Sequence, residues 1–309
     1  MKMTKSITIC ALTVGLCGRF TGVARGQEVG PAQSPALGTL TDGGQESADV
    51  RSESDVARAN NPIAPMNAIY FQNYYAPSAY GATGSSNLLD IRSIVVSGRH
   101  IIRATLPIVS NDVGNGPQVS GLGDFNMFDA FRVSPERAKD VVAVGPMLVA
   151  PTATNRALGQ GKWQAGVAGV GVHSMSEGSL LIGILTWQHS FAGDHSQPGA
   201  QVVTFQPIVA LSVGHGYYVR SSGICSFDLS NKRSVIPVGA GVGRVFRTRN
   251  VVMNAFIEPQ VTAHHSGVSQ ASIQLFSGLN VQFRKKTDEA QESNAETSRS
   301  GNSATKSGW

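Results

Sequence analysis

Four places in the chain set a histidine beside a serine: His173-Ser174, His189-Ser190, His195-Ser196 and His264-His265-Ser266. A serine activated by a histidine is hydrolase chemistry, and it needs the two side chains within hydrogen-bond reach. Neighbours along an extended strand point to opposite faces, so none of these dipeptides is a catalytic pair by itself. No Gly-x-Ser-x-Gly elbow occurs. His264-His265 offers two imidazoles to a metal, but no third ligand stands near them, and a solvated loop is the simpler reading. The run Gly239-Ala240-Gly241-Val242-Gly243 lacks the spacing of a dinucleotide fingerprint and no helix follows it, which leaves a tightly curved strand. Cys225 is the single cysteine beyond residue 26, so no internal disulfide is expected, and its simplest role is as a small packed residue. These residues predict no enzyme, no metal site and no cofactor.

A second set of polar residues points to a different chemistry, the lining of a water-filled lumen. Asp90 and Arg92, then Arg103, Asp124, Gln206, Glu258 and Gln260, each fall on the polar side of a segment that alternates with period two. Arg132 falls likewise. Between 251 and 263, Val251, Met253, Ala255, Ile257, Pro259, Val261 and Ala263 share one face. Asn254, Glu258, Gln260, Thr262 and His264 share the other, with Phe256. From 272 to 284, Ile273, Leu275, Leu279, Val281 and Phe283 oppose Gln274, Asn280, Gln282 and Arg284, which share their side with Phe276 and Gly278. The same division sets Val203, Phe205, Val209 and Leu211 against Thr204, Gln206 and Ser212, and Leu181, Leu185, Trp187 and Phe191 against Thr186, Gln188 and Ser190. Charges facing lipid in mid-strand would cost about 2–4 kcal/mol each, so an inward direction for the polar set follows if the apolar set faces lipid.

The elements that carry these faces are strands at 68–75, 87–96, 99–109, 121–132, 139–150, 162–174, 178–191, 201–212, 215–229, 233–246, 250–264 and 271–284. Helical periodicity is missing. Most strands reach the roughly 9–11 residues that a tilted strand needs to cross a bilayer, and soluble strands average about 5–6. Pro237, Gly239, Gly241 and Gly243 share the inward face of one strand, and so small a row leaves space for an arm, a plug or a solute. Trp163, Trp187, Tyr217 and Tyr218 lie near strand ends, where interfacial aromatic girdles would want them.

Residues 1–26 have the form of a cleaved signal peptide: Lys2 and Lys5, an apolar stretch, then Ala24-Arg25-Gly26 before the cut. Residues 27–62 and 285–309 are polar and unpatterned, and predict a disordered arm and a disordered tail around a barrel at 63–284. Charged residues make up only 15% of the chain, against about a quarter in ordinary soluble proteins. The net charge of +5 comes without a basic stripe of interleaved aromatics, so nucleic acid is not an expected partner. The fold expected is all-β: a single antiparallel transmembrane barrel of about 12 strands. A two-layer sandwich or a small soluble ligand-binding barrel remains the alternative.

Two segments carry more than periodicity. One is Val144-Gly145-Pro146-Met147-Leu148-Val149-Ala150-Pro151-Thr152-Ala153-Thr154 with Leu158-Gly159-Gln160-Gly161-Lys162-Trp163-Gln164-Ala165-Gly166. The other joins Phe205-Gln206-Pro207, Gly216-Tyr217-Tyr218 and the run from Ile236 to Phe246. With Arg103, Leu106-Pro107 and Gly121-Leu122-Gly123-Asp124, they resemble the bacterial outer-membrane family named for the MetA pathway of phenol degradation. The resemblance implies one barrel in the cell outer membrane. It also implies, more weakly, uptake of small hydrophobic or aromatic solutes. The family often carries a tryptophan where this chain has Tyr217. The expectation is therefore a passive channel in contact with outer-membrane lipid. The competing expectation is a closed anchoring barrel that binds envelope partners. The sequence leaves the oligomeric state open.

Overall fold

A computed structural model describes residues 55–283 apart from 65, 113–116, 136–137, 139, 176–177 and 249–250. The expected signal segment, the arm up to residue 54 and the tail lie outside the described residues. The strands are β1 Asn67–Ala79, β2 Ser86–Ser97, β3 His100–Asn111, β4 in two pieces (Val119–Leu122, Phe125–Arg132), β5 Asp140–Ala150 and β6 Lys162–Ser174. They continue with β7 Leu180–Gly193, β8 Gln201–Gly214, β9 in two pieces (Tyr217–Ser221, Cys225–Asp228), β10 in two pieces (Arg233–Gly239, Gly241–Arg247), β11 Val251–Ser266 and β12 Ala271–Phe283. Each pairs antiparallel with its sequence neighbour, and β1 pairs with β12 from Asn67 opposite Phe283 to Tyr75 opposite Leu275. The result is a closed 12-strand antiparallel barrel with no free edge along its seam.

Side-chain exposure gives the barrel its polarity. Ile69, Phe71, Leu181, Leu185, Trp187, Phe205, Leu211, Ile257, Val261, Leu275 and Leu279 all stand exposed on the outer wall. Gln72, Asp90, Thr105, Gln164, Thr186, Gln206, Arg220, Asn254, Glu258, Gln260, Asn280 and Gln282 are buried inside. A soluble protein puts these two sets the other way round.

The interior is not polar throughout. Ile101, Phe128, Ala130, Ala143, Ala168, Val170, Val172, Leu180, Ile182 and Ile184 form one buried apolar cluster, and Ile63, Ala68, Tyr70 and Ile94 complete it. It fills the half of the barrel nearest Asn67. Residues 55–60 form a short helix, part of the span expected to be disordered, and they are packed inside. Val56 and Ala59 lie in a second cluster with Met66, Tyr218, Val252 and Phe276. Gln282 donates to the Arg58 and Ala59 carbonyls, Asn254 donates to the Ala59 carbonyl and Asn60 Oδ1, and Arg247 pairs with Asp55 at 3.3 Å. These contacts supply partners for the carbonyls that a short helix leaves unmet at its C-terminus. The helix at 55–60 thus has an apolar wall to bury against and side-chain donors to cap it.

Candidate functional site

Five of the seven candidate lumen residues, Asp90, Arg92, Arg103, Asp124 and Gln206, line one interior cavity of about 410 Å³. Glu258 and Gln260 do not line it. They belong to a buried cluster beside it.

The floor of the cavity is a charged layer. Arg92 on β2 donates to Asp90 at 2.6 Å and to Gln72 on β1. Arg103 on β3 lies over the Phe128 ring, with its guanidinium carbon 4.3 Å from the ring centre. Gln206 on β8 donates to the Ser222 carbonyl at 3.1 Å and joins this layer to the neighbouring cluster. Below it, only about 50 Å³ remains open between Arg92, Arg103, Ile184, Gln206 and the arm at Ala59, Asn60 and Pro62.

The roof is the connection between β5 and β6. Strand β4 breaks at Gly123 and Asp124, and the break anchors this loop. The Asp124 carboxylate accepts from the Gln160 N–H at 2.6 Å and the Ala153 N–H at 3.2 Å. Thr152 Oγ1 accepts from the Phe125 N–H at 2.8 Å and donates to the Gly123 carbonyl at 3.0 Å. Thr154 Oγ1 accepts from the Leu122 N–H. A side chain at Gly159 would run into the Asp124 carboxylate. So bound, the loop turns Leu158, Gly159 and Gln160 into the cavity. The next loop is tied on in turn, by Arg156 to Asp194 at 2.8 Å and the Asp194 N–H to the Gly161 carbonyl. The Ser196 hydroxyl and N–H, with Arg156, hold the Asp194 carboxyl below its usual range. The expected site placed Asp124 within an unbroken strand; it sits instead at a strand break, as the loop's anchor.

The cluster beside the cavity spans β9 to β11. Glu258 accepts from Arg220 Nε at 2.9 Å, the Ser222 N–H at 2.7 Å, the Ser222 hydroxyl at 2.6 Å and Gln260 Nε2 at 2.7 Å. Arg220 also donates to the Ser222 hydroxyl at 2.7 Å and stacks on Phe256 at 3.7 Å. Phe256 meets Phe276 edge to face at 4.9 Å, and Phe276 stacks on Tyr74 at 4.2 Å. Glu258 and Ser222 lie two strands apart, with the glycines of β10 between them.

The inward row of small residues on β10 is therefore filled. A side chain at Gly243 would strike the Tyr218 ring, and one at Gly241 would strike Glu258. Tyr218 crosses over β10 to donate to Asn254 on β11 at 2.5 Å. Glu258 crosses the same row in the other direction. The space expected for an arm or a solute is taken by the protein's own side chains. Tyr218 is accordingly buried, and of the neighbouring tyrosines only Tyr217 stands on the outer wall.

Sequence reasoning missed Arg220, Ser222 and the apolar interior of β6 and β7. For Arg220 a signal existed: Tyr218, Arg220 and Ser222 alternate with Tyr217, Val219 and Ser221. Of the histidine–serine candidates, His173 pairs with Asp140 at 2.5 Å in an exposed position, and His265 stacks on Tyr80 at 3.7 Å. Among the described residues no cluster of three metal-ligating side chains occurs.

The crystal structure of the COG4313 outer membrane channel from Pseudomonas putida F1 superposes on this barrel with a TM-score of 0.51. The match covers 71% of this chain and 94% of that one, at 14% sequence identity. The two chains share a fold. No protein-family model matches the sequence, and no curated protein matches it. The family resemblance carried by the two sequence segments thus gains no support beyond the fold.

Proposed function

We propose that this protein is a non-enzymatic outer-membrane channel for passive entry of small, apolar or aromatic solutes. The observation that carries the proposal is the inverted polarity of the barrel, with large apolar side chains outside and charged and amide side chains around a cavity inside. Only a wall in contact with lipid makes that arrangement favourable. The likeness to a solved outer-membrane channel agrees with it. The tight turns at 98–99 and 215–216 lie at the end that holds Asn67 and Phe283, and the longer connection at 151–161 lies at the other. Barrels of this class keep short turns in the periplasm and longer loops outside. On that basis the cavity opens outward and the arm closes the periplasmic half.

The occluding arm also favours a second reading, a closed anchoring barrel. Solute flux into liposomes separates the two. With the protein inserted, phenol-sized probes should enter faster than sugar-sized ones, and removal of residues 27–62 should raise the flux. Proteoliposomes no leakier than empty vesicles, with and without the arm, would move the assignment to the anchoring barrel.

A further inference from the structure

We propose that the cavity binds an apolar molecule carrying a carboxylate, with the carboxylate held by Arg103 at its floor. The inference rests on the channel reading and adds the chemical class of the solute.

Arg103 is the unneutralised cation of the floor. Its neighbour Arg92 is paired with Asp90. Among the described residues no carboxylate lies within ion-pair distance of Arg103, and its buried Nε has no hydrogen-bond partner. Arg92, Asp90 and Arg103 together leave one positive charge at the floor, where the Arg103 Nε is buried. A cation in that setting is costly unless an anion completes it. Two residues further along the same face of β3, the buried Thr105 hydroxyl also lacks a partner. A guanidinium offers a planar fork of donors, which matches the two oxygens of a carboxylate. The other carboxylate on the cavity, Asp124, is already bound to the backbone N–H groups of the roof loop. It repels an anion from the roof and so favours an orientation with the charged end down.

The walls fit the rest of such a molecule. Leu88, Val109, Met147, Val149, Leu158 and Ile184 surround the space above the floor. A volume of about 410 Å³ accepts a single benzene ring with a short substituent. The apolar group lies among the polar side chains Asn126, Gln164, Thr186 and Gln188, so the site joins an apolar patch to a charged floor, as small-molecule sites do.

The test compares benzoate with benzamide, which has nearly the same shape and no charge. Binding is measured by titration calorimetry on the refolded full mature chain in non-ionic detergent. Benzoate should bind at least roughly tenfold more tightly than benzamide, as expected for charge-assisted hydrogen bonds. Arg103→Gln should erase that difference, and Arg103→Lys should keep part of it. Equal affinities in the unaltered protein would overturn the proposal, whether or not the variants fold. If both compounds also enter liposomes equally, the channel reading survives and only the carboxylate assignment fails. If neither binds nor enters, both fail.

Discussion

Replacing Glu258 by glutamine isolates the cluster that joins β9 to β11. Glu258 is fully buried and Arg220 is 6% exposed, so neither charge is relieved by water. Each carboxylate oxygen takes two donors: Oε1 from the Ser222 N–H and Gln260, Oε2 from Arg220 and the Ser222 hydroxyl. Glutamine keeps one oxygen and replaces the other with an NH2 group that faces donors. Two hydrogen bonds to a charged acceptor are lost, at about 1.5–3 kcal/mol each. Breaking one partner of a buried pair costs about 3–5 kcal/mol by an independent route, the charge left behind on Arg220. The expected loss in Glu258→Gln is thus about 3–5 kcal/mol. Urea unfolding in lipid vesicles, followed by tryptophan fluorescence, reads it. Arg220→Met in the same background should recover much of the loss, because removing both charges leaves nothing buried and unpaired. A loss below about 1 kcal/mol, as for an exposed pair, would refute the reasoning. So would a double variant additive within about 0.5 kcal/mol of the two single ones.

Other perturbations test the wall, the roof and the glycine row. Leu185→Arg on the outer face should lower stability in lipid by about 2–4 kcal/mol; a change within about 0.5 kcal/mol, usual for a water-facing site, would mean the wall does not meet lipid. Asp124→Ala should free the roof loop, seen as faster protease cleavage within 151–161 and larger ion conductance, with a stability loss of about 1–3 kcal/mol. Gly243→Val should displace the Tyr218 ring and cost about 1–3 kcal/mol, read as a lower urea midpoint, while Val242→Ile on the opposite face of the same strand should leave the midpoint unchanged.

The barrel was legible in the sequence wherever its interior is polar. In β11 and β12 the inner side reads Asn254, Glu258, Gln260, Gln274, Asn280 and Gln282, and the outer side is apolar but for Ser277, so alternation alone sorts the faces. In the half that holds the arm, both sides are apolar. Leu180, Ile182 and Ile184 point in while Leu181 and Leu185 point out, and period two leaves no contrast to read. In β6 the interior takes Val170 and Val172 while the outer positions fall to Gly169 and Gly171, which inverts the expected sign. The arm carries its own signal, since Val56 and Ala59 stand three apart on one helix face and both are buried. Its polar composition masked them. Of the candidate site, the charges of the floor were found from their faces. The cluster around Glu258 was found only in part, because nothing in a single strand shows that glycines on β10 let side chains from β9 and β11 meet.

The seam between β1 and β12 sets the order in which this molecule can assemble. Its partners stand at opposite ends of the barrel's sequence, as with Gln72 and Asn280, 208 positions apart. Pairings so remote are slow to form, since the chain must first give up the freedom of everything between them. The arm runs into β1 within a few residues, and the Arg58 and Ala59 carbonyls accept from Gln282 on β12. Strand β12 therefore both closes the wall and holds the helix at 55–60, a task it shares with Asn254 on β11, so a change that loosens the seam reaches the barrel's contents as well.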